Sequence, residues 1–154
     1  DWGKNRILTD CAISLSKNQE IIVRNPSATR PWQFVLESLS GYMMLAKKLF
    51  EKQEEFEGAW NFGPENDATV ETLVKKTVEY WGEGKYKVTP SDGPHEATYL
   101  KLDPTKAKKQ LGWSTKYDLN ESLLETVSWY KEYYQNKDMQ NFSEKQIEKY
   151  ASKG

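Results

Sequence analysis

Arg30 stands between Thr29 and Pro31, beside Trp32, just ahead of a long amphipathic run that ends near Leu49. Pro31 locks its own φ and biases the residue before it toward extended backbone, so Arg30 belongs to a stiff lead-in and not to the helix that follows. A guanidinium held this rigidly loses little entropy when it grips a bidentate oxyanion, which suits phosphate recognition. The same residue placed against Trp32 could equally serve packing through its planar face.

Three further places carry residues with chemical reach. His95 is the single histidine and lies in the loop PSDGPHEAT, beside Glu96 and four residues before Tyr99. A lone loop imidazole is either exposed or part of a site, and this Gly/Pro-containing loop is where a ligand would be sought. Asn61 and Asn66 bracket the end of AWNFGPEN, where an amide reads a ligand hydroxyl or phosphate, or simply makes a turn. Tyr133 and Lys137 have the Tyr-x-x-x-Lys spacing that lowers a phenol pKa, but without a Ser or Thr partner the spacing reads as coincidence.

Several classes of function are excluded at this level. The chain has 154 residues, 22 basic and 23 acidic, with a net charge of −1, so no field of one sign recruits nucleic acid or anionic lipid. One cysteine, Cys11, forbids an intrachain disulfide, and one histidine leaves no Cys/His zinc site, which points to a reducing cytoplasm. No apolar run reaches the ~20 residues of a membrane span, and DWGKNR is neither a signal peptide nor an anchor. The sequons at Asn120 and Asn141 are then chance matches, and a start on Asp1 suggests a fragment. The GEG at Gly82–Gly84 lacks a preceding strand and a third glycine, so it is no dinucleotide fingerprint.

The elements that must position these residues follow from periodicity and caps. Ile7, Leu8, Cys11, Ile13 and Leu15 suit a helix over Arg6–Ser16, and EIIVR a strand over Glu20–Arg24 closed by the turn NPSA. Leu36, Leu39, Tyr42, Met43, Ala46, Leu49 and Phe50 recur at helical spacing. AWNFG reads as a buried strand, and Thr69 as the cap of a helix whose face is Val70, Leu73, Val74, Thr77, Val78 and Trp81. YKVT and YLKL read as short strands around the 90–98 loop. Asp103-Pro104 opens a short helix that Gly112 ends, and Asp118 to Glu121 form a capping box for a helix carrying Leu123, Leu124, Val127, Tyr130 and Tyr134. In the polar tail Ser143 and Gln146 allow one more short helix. Four short strands among five or six helices, without βαβ alternation, make a mixed α/β piece of α+β character that leans on something else.

Taken together, DW…NRI, IIVRNPSATRPWQFVLESLSGYMMLA, AWNFGP, GPHEATYLKLD, LGW and VSWYKEYY carry a family likeness. The chain resembles the C-terminal half of the bacterial CDP-glucose 4,6-dehydratases, within the extended short-chain dehydrogenase/reductase family. The likeness covers nearly all of residues 1–150, and RPWQFVLE with PHEATYLKLD separates it from the dTDP-glucose relatives. It implies a substrate-binding part that lacks most of the Rossmann sheet, with residues 1–134 as the nucleotide-sugar-binding region and 135–154 as a polar tail. In such enzymes the glucose C4 is oxidised with NAD, water leaves from C6, and the hydride returns to C6.

The resemblance also implies where the groups lie. The NAD loop, the catalytic Tyr and Lys and the acid/base carboxylates fall upstream of Asp1, so this chain alone would hold no NAD and be inactive. Its partners would be CDP-glucose and the N-terminal Rossmann domain of the same chain, in a homo-oligomeric enzyme of deoxyhexose and O-antigen synthesis. Arg30 matches the arginine on the nucleotide diphosphate, Asn66 a substrate-contacting amide, and His95 and Tyr99 a His and Tyr of the substrate loop. Arg6 and Ile7 match a helix start near the nucleotide, and Ile22 and Arg24 the strand flanking the base, where Arg24 replaces an aromatic and helps choose cytosine. Where relatives carry a second phosphate-binding Arg this chain has the neighbourhood of Asp92, leaving His95 or Arg6 to supply the charge. A non-catalytic helical interaction module is the rival reading.

Overall fold

The computed structural model describes residues 2–3, 6–52, 54–65, 67–89 and 98–153. Along the chain run α1 (Ile7–Ser16), β1 (Ile21–Val23), β2 (Thr29–Arg30), α2 (Val35–Phe50), β3 (Ala68–Thr69), α3 (Val70–Trp81), β4 (Tyr86–Val88), α4 (Leu119–Tyr134) and α5 (Met139–Ser152). A wide π-type turn, Ala107–Leu111, lies between β4 and α4.

β1 and β4 pair in parallel, with Ile21 opposite Tyr86 and Val23 opposite Val88. Alternation along β1 sends Ile21 and Val23 inward and leaves Ile22 exposed, as a sheet covered on one face requires. The cover comes from α1 and α3: Cys11, Leu15, Ile21, Val23 and Val74 form one core, with Ile7, Val70, Val78, Trp81 and Tyr86 against it. Burying side chains of this size contributes about 1.5–3 kcal/mol each.

Local signals set the helix ends. The Thr69 hydroxyl accepts the Thr72 amide at 3.1 Å and starts α3, and Gly82, at φ 98°, ends it in the left-handed conformation open to glycine. At α4 the full capping box is present, Glu121 N to Asp118 Oδ1 at 2.8 Å and Asp118 N to Glu121 Oε2 at 3.0 Å. The tail differs from the expected short helix near Ser143. Asp138 caps a 14-residue α5, and Ser143 instead receives the Trp129 indole N–H at 3.0 Å. Gln146 then anchors α5 to α4 through Glu125, bonding its carbonyl at 2.9 Å and its carboxylate at 2.8 Å.

Two expected strands are not formed. Residues 59–63 run without a ladder, and only Tyr99 of YLKL pairs, in a single parallel bridge to Thr29. A strand exists only beside a partner, and among the described residues neither stretch has a second backbone in register along its length. Phe62 is nevertheless buried, with Phe56, Ala107, Leu111 and Trp113, in a second core.

α2 is turned against its own apolar pattern. Glu37 and Gly41 are buried, whereas Met43 is 74% exposed and Phe50 89%, and Val35, Leu39 and Tyr42 also face outward. Against α4, Trp2 lies 4.8 Å from the Tyr133 ring and 5.3 Å from Tyr130, with Trp129 stacked on Tyr133. Among the described residues no helix is long and apolar enough to cross a membrane.

Candidate functional site

β2 is where three distant stretches of backbone meet. Arg30 pairs with Ala68 and Thr29 with Thr69 in a two-residue antiparallel ladder. On the other side the Thr29 amide donates to Thr98 O at 2.9 Å, and the Leu100 amide to Thr29 O at 3.2 Å. Thr29, the neighbour of Arg30, and Tyr99 are thus partners in a parallel bridge, although 70 positions separate them in the sequence.

Arg30 is half-buried, and its Nη1 donates to the Thr29 carbonyl at 2.9 Å. Trp32 does not leave its polar edge idle: the indole N–H donates to Ala68 O at 3.0 Å and ties the lead-in to β3. Tyr99 is 61% exposed, so its phenol faces outward beside the ladder. Asn66, adjoining β3, and His95, preceding Thr98, lie outside the described residues, as does Asp92.

The other expected residues sit on different elements. Arg24 is exposed immediately after β1, and Ile22 is 51% exposed on the strand's open face. Because β1 and β4 are parallel, their carboxyl ends lie on one side, where Thr89 N donates to Val23 O at 2.9 Å; crevices at such ends are the usual ligand sites of parallel sheets. Arg6 precedes α1 in extended conformation, and Ile7 packs against the first core. The amino end of α3 is closed to ligands at two amides, since Val70 N donates to Ala28 O at 2.9 Å and Glu71 N to Pro26 O at 3.0 Å.

Arg30 on β2, the exposed Tyr99 bridged to its neighbour Thr29, and Arg24 after β1 each carry a group able to bind an anion or a hydroxyl. The glycines of GEG follow α3, with Gly82 ending that helix, so these residues do not form a dinucleotide loop. Among the described residues no group of three or more His, Cys, Asp or Glu side chains could hold a metal ion.

Sequence reasoning overlooked Glu37. Its carboxylate is wholly buried and accepts Lys116 N on both oxygens at 3.0 Å, Tyr117 N at 2.8 Å and the Tyr150 hydroxyl at 2.7 Å. A carboxylate between Leu36 and Leu39 in the mostly apolar stretch FVLESL was the available signal. Burial pushes the Tyr150 hydroxyl well above the usual phenol range, and Tyr117 is raised for the same reason. Gln33 was also missed: its Nε2 donates to Phe62 O at 2.9 Å and to Ser38 Oγ at 2.6 Å, while its Oε1 and the Oδ2 of Asp67 are buried without a hydrogen-bond partner among the described residues.

No protein-family model matches the chain. CDP-glucose 4,6-dehydratase of Salmonella typhimurium is 43% identical over 155 residues, taking in 99% of this chain and 43% of that enzyme. A UDP-glucose-4-epimerase from Stenotrophomonas maltophila with bound NAD and formylated UDP-arabinopyranose has a TM-score of 0.72 at 17% identity, covering 87% of this chain and 41% of that one. A dTDP-glucose 4,6-dehydratase from Bacillus anthracis in complex with NAD has a TM-score of 0.68 at 18% identity, covering 82% and 39%. The chain spans less than half the length of each of these relatives. It belongs to the extended short-chain dehydrogenase/reductase family, as a homologue of CDP-glucose 4,6-dehydratase.

Proposed function

We propose that this chain is the C-terminal, nucleotide-sugar-binding part of a CDP-glucose 4,6-dehydratase, a lyase that converts CDP-glucose to CDP-4-keto-6-deoxyglucose. The observation that supports the reading is the junction at β2, where Thr29–Arg30, Ala68–Thr69 and Tyr99 come together from three separate stretches of chain. Arg30 binds the diphosphate. His95, Tyr99 and Asn66 line the substrate, Arg24 and Ile22 flank the base, and Arg6 and Ile7 approach the nucleotide from α1. NAD belongs to the full-length enzyme and is not held by these residues, so the fragment is inactive by itself. Residues 1–134 make up the binding region, and 135–154 the C-terminal appendage.

The outward apolar side of α2 supports a partner of matching chemistry, the Rossmann half of the same longer protein. Without that covering wall the site is incomplete. A cytoplasmic homo-oligomer in deoxyhexose synthesis for surface polysaccharide completes the reading.

Arg30→Ala in the full-length protein is expected to weaken CDP-glucose binding by about 1–3 kcal/mol, the scale of a charge-assisted contact. Isothermal calorimetry reads this directly. An unchanged Kd with an intact fold removes Arg30 from the site.

A further inference from the structure

Arg30 lies in a strand of two residues, and a ladder that short does not fix a side chain by itself. Its amino-side fastening is the junction with 68–69 and 98–100. Its carboxyl-side fastening is the start of α2, which is pinned repeatedly within a few residues. Trp32 bonds Ala68 O, Gln33 bonds Phe62 O, and the buried Phe34 stacks on Tyr117 at 5.8 Å. Glu37 closes the series in the first turn of α2.

We infer that Glu37 is a positioning residue for Arg30, acting through the first turn of α2 and the Pro31-stiffened link. The carboxylate is an acceptor only, and every donor it uses comes from elsewhere: the 116–117 backbone and Tyr150 of α5. Sliding or rotating the α2 turn would strip donors from a buried charge, so the turn has one favoured place. Pro31 restricts itself and Arg30, while Trp32, Gln33 and Phe34 are each held by a contact of their own, so the link has little slack and a shift of the turn is carried toward Arg30. The helix α5, at the far end of the sequence, thereby sets where the guanidinium stands. Lys116 strengthens the same joint, with its Nζ donating to the Tyr150 carbonyl at 3.3 Å and lying 5.1 Å from the Tyr150 ring.

The inference rests on the reading of Arg30 as a diphosphate ligand, and the test separates the two. In the full-length protein, Kd is measured for CDP and for cytidine, which lacks the diphosphate, in wild type, Arg30→Ala, Glu37→Gln and the double variant. Glu37→Gln keeps the shape but turns an N–H donor toward donors. It is expected to weaken CDP about tenfold, leave cytidine within about twofold, and add nothing once Arg30 is alanine. Equal losses for both ligands, or additive losses for CDP, overturn the positioning role and leave Glu37 as a packing group. If Arg30→Ala itself leaves CDP unaffected, the reading of Arg30 fails and the inference with it. Should Glu37→Gln not fold, Tyr150→Phe removes one donor and leaves the backbone pair. A CDP-selective loss of about threefold is then expected, and its absence overturns the inference.

Discussion

Replacing Gly41 by alanine tests how α2 is seated. An added Cβ would lie 2.2, 2.5 and 2.8 Å from three atoms of the Phe62 ring, where carbon contacts ordinarily settle at about 3.5–4.0 Å. The ring would have to retreat by more than about 1 Å. It has little room to do so, since it stands edge-on to Trp113 at 5.1 Å and to Tyr42 at 5.5 Å, and its neighbours in the second core are buried. Overpacking of this kind costs about 1–3 kcal/mol, and a clash against a rigid ring belongs at the upper end. Helix propensity returns about 1 kcal/mol, because a helix-interior glycine is that much worse than alanine. The net expectation is destabilisation by about 2 kcal/mol, a fall in Tm of roughly 4–8 °C for a chain of this size. Thermal unfolding followed by the far-ultraviolet circular dichroism of the helices measures it. The control is Phe62→Leu, in whose background Gly41→Ala should become neutral or stabilising. A Gly41→Ala protein as stable as wild type, with Phe62 intact, would refute the close approach of α2 to residues 59–63.

Asp118→Ala should cost about 1 kcal/mol by removing the side-chain acceptor of the α4 cap, read as a lower urea midpoint at unchanged slope. The cap also senses acid: bonds to Lys153 and to the Asp118 amide hold the Glu121 carboxyl below its usual range. That contribution is complete above the ordinary carboxylate pKa and is lost as pH falls through the lowered one. Burial pushes the Cys11 thiol up to about 12, so the folded chain keeps its proton where the unfolded chain, near 8.5, gives it up. Stability from this group is therefore full below that lower value and declines as pH rises toward the higher one. Thiol labelling at pH 8 should proceed only at the rate of unfolding, and fast stoichiometric labelling of the native protein would contradict the burial of Cys11.

Local chemistry was legible, and long-range chemistry was not. Thr69 and Asp118 cap the helices their spacing announces because a cap needs only residues within one turn. The lead-in conformation of Arg30 was readable for a similar reason, since Pro31 acts on its immediate neighbour. The stretch 59–63 has strand composition, yet pairing depends on a backbone the described residues do not supply. α2 shows why periodicity alone does not tell inside from outside. Its apolar residues outnumber the buried ones, but Glu37 finds donors around positions 116–117 and 150, and that decides which side faces in. The approach of Tyr99 to Thr29 likewise depends on a bridge that no short window of sequence contains. The family resemblance names Arg30 and Tyr99 in one site together with Asn66 and His95, and these last two fall outside the described residues.

The ring cluster built on Trp2 has an optical consequence. One indole and three phenols stand around Trp2 with centroids 4.8–6.4 Å from it, at angles from 49° to 86°. Transition dipoles this close and this skewed couple, so the cluster should give the near-ultraviolet circular dichroism a strong signature dominated by one end of the molecule. Detaching the first few residues from α4 would weaken that band to what the Trp129, Tyr130, Tyr133 and Tyr134 contacts sustain, while the amide signal of the helices stayed, making the spectrum a gauge of whether the amino end is seated.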